Sequence, residues 1–544
     1  MVHVSRTSIA AAGSLILVAV AIARLAPVYY ALSQTYDEPF HVATGMEWLD
    51  RGKYTYEAQH PPLARVADAL GPYLRGLGSH GRESGWDEGN DILYSRGSYR
   101  HNLTLARLGA LPFFVLACAA IFVWGRRWYT LGTAVWAVFL FTCLPPVLSS
   151  ASQATTDMAC VATIMLALYA FLRWVENPDK PRSAMLGAAI ALALLSKFSS
   201  IPFLLACFAS AAAYFWFLRR EWLFKGFNGR WQNALVTAGV CVILVWAGYR
   251  FSFHSLSEER GYNKTLISVT AEDSRAGRVF AEISQIPFPM PEFAHGLYMV
   301  ARHNRAGHDS FLLGDYRDHG WWDFFPIMLA IKTPIGFLLL TAAGTVLIAA
   351  QIRRRTWQHR LNVVFPVVIL LVCMASSLNM GGRHILPIYP LLAVLAGYAV
   401  SKAFRNDAKW VTAPAAILLV GWTAVDSWLA RPDYIAYFNQ LAGDHPERIT
   451  VEADLGQDVQ RLSQTLRELG ASHVALKLNT TARLEEEGLP PFKEVPAFER
   501  VSGYVAISDW FYQMGYAENK SFAWLRAYTP LRRVGKTITL YNIP

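Results

Sequence analysis

Apolar runs of about twenty residues alternate with polar stretches over roughly the first 430 positions of the 544-residue chain. A bilayer core is crossed by roughly 20 apolar helical residues. By that measure about eleven spans are expected, near 8–32, 104–125, 130–149, 157–173, 183–198, 200–218, 233–250, 324–350, 361–378, 385–402 and 409–428. The first run follows Arg6 and continues to Leu32, too long for the apolar part of a signal peptide, so it reads as an uncleaved span. Alternate connections carry the basic residues: Arg126 and Arg127; Arg173, Lys180 and Arg182; Arg219, Arg220, Lys225 and Arg230; Arg353, Arg354, Arg355 and Arg360; Lys402, Arg405 and Lys409. The intervening connection from Pro145 to Thr156 has no Lys or Arg. Basic loops stay cytoplasmic, which puts the N-terminus inside and, with an odd number of spans, the C-terminus outside. A multi-pass bacterial inner-membrane protein is expected.

Three polar regions then face the periplasm: about 33–102, about 251–323, and the C-terminal segment 431–544. Residues 1–430 are expected to form the membrane domain. In the C-terminal segment a helix-period stretch, Asp458 to Leu469, precedes strand-like runs at His473–Leu478, Val501–Ser508 and Lys536–Tyr541. That reads as a small α/β domain. It has no glycine-rich phosphate loop and no nucleophile elbow, so it suits packing or acceptor contact.

Composition refines this picture. Charged residues make up 17% of the chain against 53% hydrophobic, a deficit concentrated in the apolar runs. The net charge of +10 comes from short clusters between spans, which explains it by orientation rather than by nucleic-acid binding. All six cysteines (Cys118, Cys143, Cys160, Cys207, Cys241, Cys373) fall in apolar runs and read as small buried hydrophobes.

Candidate chemistry begins just beyond the first span, where Asp37 and Glu38 sit near the membrane surface. Pro39 suits a helix start, with Phe40, Ala43, Met46 and Leu49 at helical spacing. A second helix is expected after His60-Pro61-Pro62, with Leu63, Val66, Ala67, Leu70 and Leu74 on one face. Both read as amphipathic helices in the interface. Asp37 is equally well explained as the cap of the helix that Pro39 opens.

Asp37-Glu38, Gly45 and His60-Pro61-Pro62-Leu63 resemble the first outer loop of the protein O-mannosyltransferase and lipid A aminoarabinose transferase superfamily, membrane glycosyltransferases of GT-C architecture. Further stretches resemble its bacterial, family-39-like branch: Ala154–Asp157, Leu195–Phe198, Trp321–Pro326 with Lys332-Thr333-Pro334, Asn379–Pro387, Tyr434–Asn439 and Leu455–Asp458. Where many members read Asp-Trp-Gly-Gln-Asp, this chain has Asp454-Leu455-Gly456-Gln457-Asp458.

The resemblance implies sugar transfer from a polyprenyl-phosphate carrier to an unidentified lipid, glycan or protein acceptor at the periplasmic face. Asp37 is then the general base of an inverting displacement, with Glu38 beside it placing the acceptor. The leaving phosphate needs cations, for which Lys332, Arg383, His384 and Lys197 stand close to the outer side of their spans. Lys332 and Lys197 also admit the simpler reading of snorkelling to the surface. Asp157 opens its span on the same side, as cap or as part of the cavity, and His60 is a further cavity candidate. Glu38 and His41 could approach one divalent ion; need for a metal stays open. The polar second outer loop, from Arg302 to His319, suits a lid or a solvated loop. The rival class is a transporter or flippase of a lipid-linked sugar, although no matching halves are apparent.

Overall fold

A computed structural model of the chain describes residues 5–219, 231–259, 282, 284–351, 354, 356–405 and 407–544. The expected basic positions Arg220, Lys225, Arg230, Arg353 and Arg355 lie outside the described residues, as does 260–281 of the second loop.

The chain is a mainly helical, polytopic membrane protein. Eight described helices are long and apolar enough to cross a bilayer, ten if each of two sharply bent pairs makes one span. The remaining expected span is the 17-residue helix Lys180–Ser196, packed beside Asp157–Glu176 and Trp231–Gly248. Helix Arg6–Ala31 starts at Ser5, whose hydroxyl accepts from the Ser8 N–H at 3.1 Å. Tyr389–Ala403 is the central helix, buried on nearly every side, against Leu131–Thr142 and Ile335–Ala349. Trp231–Gly248 sits at the periphery and turns Leu235, Val242 and Ile243 outward, as lipid contact requires.

Proline makes both bent pairs. Leu131–Thr142 and Pro145–Ala151 meet at 69°, with Leu144 extended before Pro145-Pro146. Phe324–Lys332 and Ile335–Ala349 meet at 112° across Thr333-Pro334. The single expected span at 324–350 is therefore two half-helices, and Lys332 is the last residue of the first. Carbonyls freed by such a break need partners in a dry setting. Asn439 supplies them: its amide donates to the carbonyls of Ala330 and Thr333, both at 2.6 Å, and its backbone N–H to that of Ile331 at 2.8 Å.

The three polar regions gather at one end of the bundle. In the first, helices Glu38–Met46, Pro62–Leu74 and Gly85–Tyr94 pack together. Of the two helices expected in the interface, Pro62–Leu74 keeps an outward apolar stripe (Leu70, Tyr73, Leu74) and turns Arg65 and Asp68 inward. Glu38–Met46 is instead enclosed on almost every side. Gly45 permits this, because a Cβ there would lie 1.9 Å from the Arg65 carbonyl oxygen.

Near the C-terminus, five strands form one mixed sheet in the order β6-β5-β7-β9-β8: β5 Val474–Lys477, β6 Phe492–Glu494, β7 Gly503–Ser508, β8 Arg532–Val534 and β9 Ile538–Ile543. β5 pairs parallel with β6 and β7, while β9 pairs antiparallel with β7 and β8. The strand period of two splits the core. Val474, Leu476, Ala506 and Leu540 pack with Leu462 and Leu466 of helix Val459–Glu468 on one face; Ala475, Val505, Ile507 and Tyr541 meet Phe522 and Leu525 on the other. Two short antiparallel strand pairs belong to the second polar region: β1 Phe253–His254 with β2 Phe288–Pro289, and β3 Ser310–Leu312 with β4 Asp315–Arg317.

Candidate active site

At the loop end of the bundle lies a narrow cleft of about 70 Å³, lined by Ser149, Gln153, Asp157, Lys332, Arg383, Tyr434, Tyr437, Glu452 and Leu455 among others. Its walls come from the two helix breaks, the start of helix Asp157–Glu176 and the short helix Gly382–Ile388. They are closed by the segment leading into the C-terminal sheet.

Three carboxylate–cation pairs surround this space. Arg383 Nη1 donates to Asp37 Oδ2 at 2.6 Å, with both side chains partly open. Lys197 Nζ donates to Asp157 Oδ1 at 2.5 Å, so Lys197 turns inward rather than to the surface. Lys332 Nζ lies 3.1 Å from Glu452 Oε1, donates to the Ile435 carbonyl at 3.0 Å, and sits over the Phe438 ring at 3.9 Å. Glu452 also accepts from the Gly382 N–H. Sequence reasoning missed Glu452; its one local signal is its place two residues before the Asp454–Asp458 stretch.

The two adjacent acids of the first loop part company. Asp37 makes no capping bond to the helix that follows and reaches Arg383 instead. Glu38 is fully buried. Its carboxylate accepts four hydrogen bonds: two from the buried Arg107 guanidinium at 2.8 and 2.9 Å, one from Thr35 N–H at 2.7 Å and one from Ala154 N–H at 2.9 Å. Arg107 donates onward to the carbonyls of Tyr29, Leu32 and Ser33. With its acceptor capacity so used, Glu38 holds the loop start and the turn before Asp157 in place, and it does not line the cleft.

Asp37 is fixed from its other side too. Ser33 N–H donates to the Gln457 carbonyl at 2.9 Å and Tyr36 N–H to that of Leu455 at 2.8 Å. Thr481 Oγ1 donates to the Tyr36 carbonyl at 3.0 Å. The Leu455–Gln457 stretch therefore latches the first loop, while Leu455 itself, where the resembling family has tryptophan, faces the cleft. Burial alone would raise the Asp37 carboxyl. The Arg383 guanidinium outweighs it, with smaller help from His41 and His60, and brings Asp37 down to about 2. Asp37 is thus ionised at neutral pH.

His60 and His384 occupy different surroundings. The His60 ring lies edge-on to His41 with centroids 5.3 Å apart, and its Nδ1 is 3.4 Å from Glu57 and 3.3 Å from Arg65. Arg65, fully buried, donates through Nε to His41 Nδ1 at 2.9 Å and also bonds Glu57 and Tyr54. With Nδ1 accepting from Arg65, His41 is committed away from an ion shared with Glu38. His384 follows Arg383 and sits 6.0 Å, ring to ring, from Phe325. Neither His60 nor His384 lines the cleft; Asp37 and Lys197 do not line it either, and meet it through their partners Arg383 and Asp157.

Residues 100–249 match the family model described as dolichyl-phosphate-mannose-protein mannosyltransferase. The chain is 25% identical over 272 residues to the lipopolysaccharide core galacturonosyltransferase RgtA of Rhizobium johnstonii, covering 48% of this chain and 50% of that protein. The match thus spans about half the length of that relative. Its fold is similar to that of ArnT from Cupriavidus metallidurans, in the crystal structure bound to undecaprenyl phosphate: TM-score 0.51, 13% identity, 97% of each chain covered. The chain has the GT-C fold.

Proposed function

We propose that the protein is a glycosyltransferase that takes a sugar from a polyprenyl-phosphate-linked donor at the non-cytoplasmic face of the membrane. The observation that carries this reading is the cleft at the loop end of the bundle, lined by Arg383, Lys332 and Asp157, with an ionised carboxylate, Asp37, held against Arg383 just behind that lining. The relative and the structural neighbour described above support it, one named as a galacturonosyltransferase and the other bound to a polyprenyl phosphate. The positive-inside pattern supports the orientation.

Each pair around the cleft answers a need of the reaction. A lipid phosphate entering it would draw on Arg383, whose planar fork suits phosphate oxygens, and on Lys332. As Arg383 turns to the phosphate, Asp37 loses the contact that depresses its basicity and becomes a better base. An acceptor hydroxyl or amine then attacks the anomeric carbon. The new bond forms as the bond from that carbon to the phosphate oxygen breaks, Asp37 takes the acceptor's proton, and the sugar configuration inverts. The charge developing on the departing phosphate is met by Arg383 and Lys332. Glu452 and Asp157 keep Lys332 and Lys197 paired and oriented while the cleft is empty of donor. No role is assigned to His384 or His60.

One observation favours a flippase instead: both sharp helix breaks border the cleft, and broken helices frame many transport sites. Mass spectrometry of envelope glycolipids and glycoproteins with and without the gene separates the two. A transferase predicts loss of a glycosylated product and accumulation of its acceptor. Redistribution of the lipid-linked sugar between leaflets, with no glycoside lost, would establish the transporter.

A further inference from the structure

We propose that the second outer loop carries a site for one divalent transition-metal ion, zinc by its ligand chemistry, built from His254, Glu259, Glu292 and His295. The donor atoms of His254, Glu259 and Glu292 all lie within 4.8 Å of one another. His254 Nε2 is 2.6 Å from Glu259 Oε1, and His295 Nδ1 is 3.7 Å from Glu259 Oε2. Glu292 and His295 are three apart on helix Pro291–Ala306, so they project from one face of it. His254 comes from β1, and Glu259 follows the turn Leu256–Glu258, which a Ser255–Glu258 capping box holds.

Two features set this cluster apart from an ordinary ion-pair network. First, His295 is 5% exposed, yet neither of its ring nitrogens has a hydrogen-bond partner among the described residues. A buried imidazole without partners is costly unless something else binds it. Second, two buried carboxylates, Glu259 and Glu292, stand together with no Lys or Arg paired to either among the described residues. Such a pair needs a positive charge between its members.

A divalent ion answers both. Two imidazoles and two carboxylates make a four-ligand set suited to tetrahedral zinc. Zinc bonds of about 2.0–2.1 Å put ligand atoms about 3.4 Å apart, so His254, Glu259 and Glu292 need only modest adjustment, while His295, near Glu259 but outside that close group, must swing towards the ion to complete the set. Ser252 Oγ donates to Glu292 Oε2 at 2.6 Å, the kind of outer bond that orients a ligating carboxylate. Bound there, the ion would clasp the β1–β2 strand pair to helix Pro291–Ala306. That helix rests on the first loop through Gly296, where a Cβ would be 2.0 Å from the Ala58 carbonyl oxygen. It also meets Phe198, next to Lys197, through Phe293. The clasp therefore braces the wall behind the Asp157–Lys197 pair, and it does not depend on the proposed transferase activity.

The test uses the full-length protein purified in detergent, stripped with a chelator and titrated with zinc and with cobalt. We expect one equivalent of zinc per chain, a tetrahedral cobalt spectrum without thiolate charge transfer, and a higher Tm with metal. His254→Ala and Glu292→Gln should each weaken zinc binding at least ~100-fold, while His445→Ala, at an exposed histidine of the C-terminal segment beside Glu447, leaves it unchanged. Should a variant fail to accumulate, His295→Gln, which keeps a polar side chain of similar length, takes its place. A wild-type chain that binds no zinc at micromolar concentration overturns the site, and so does zinc binding that survives both ligand substitutions.

Discussion

Asp37 and Glu38 are neighbours of the same charge, and the structure expects opposite outcomes from neutralising them. In Asp37→Asn the shape and one acceptor oxygen for Arg383 remain, while the proton acceptor is gone. The Asp37–Arg383 pair is partly solvent-exposed, so its loss costs about 0–1 kcal/mol of stability. Loss of a general base costs about 10²–10⁴ in rate, roughly 3–5 kcal/mol of barrier. In Glu38→Gln the new amide nitrogen faces groups that can only donate: Arg107 Nε and Nη2 and the N–H groups of Thr35 and Ala154. One side of the site becomes donor against donor, and Arg107 becomes a fully buried cation without its anion. Breaking such a pair from one side costs about 3–5 kcal/mol. The assay is complementation of a deletion strain, following the missing glycan product by mass spectrometry and, in parallel, the amount and Tm of the purified variant. Asp37→Asn should accumulate normally, melt close to wild type and restore no product. Glu38→Gln should melt several degrees lower or fail to accumulate. Near-normal product from Asp37→Asn would remove it as base, and equal Tm for the two variants would refute the division of roles.

Further predictions follow from the walls of the cleft. Asn439→Ala strips partners from the Ala330 and Thr333 carbonyls at the helix break, so about 2–6 kcal/mol of stability should be lost, read as a lower Tm in detergent. An unchanged Tm would mean the break is stabilised otherwise. Lys332→Met leaves the half-buried Glu452 without its cation, so the double variant with Glu452→Gln should be more stable than Lys332→Met alone, with the proposed activity expected to be lost in both; a double variant less stable than the single one would contradict this. In the C-terminal sheet region burial, with Asp509 close by, lifts Asp454 from 3.8 to about 7. Between those values the folded chain holds a proton that the unfolded chain has released, so stability falls as pH rises through that window and levels off above it. The loss is at most on the order of 4 kcal/mol, and Asp454→Asn should flatten that part of the Tm-against-pH curve.

The membrane architecture was legible because apolar runs report it directly: the expected 8–32 and 409–428 lie close to Arg6–Ala31 and Lys409–Leu429. Helix Val459–Glu468 and strands β5, β7 and β9 were legible for the same reason, each having a clear periodicity. The edge strands β6 and β8 were not, since Phe492–Glu494 and Arg532–Val534 are short and mostly exposed. The break at Thr333-Pro334 left a trace in the proline, but a hydropathy window averages across it.

The site was harder, for a reason its pairs make plain. Each joins residues far apart in sequence: Asp37 to Arg383, Asp157 to Lys197, Lys332 to Glu452, Glu38 to Arg107. Local sequence can nominate charged residues near a membrane surface, yet it carries nothing on which acid meets which cation. That choice decides function. Paired with a partly open arginine, Asp37 stays ionised and can be released to act; paired with a buried one and two backbone N–H groups, Glu38 cannot. The latch at Leu455 and Gln457 holds Ser33 and Tyr36 just ahead of the two acids, where Asp37 meets Arg383 at the edge of the cleft and Glu38 points into the core. A loop that slipped by one residue would exchange the two carboxylates, giving the buried arginine to Asp37 and the partly open one to Glu38.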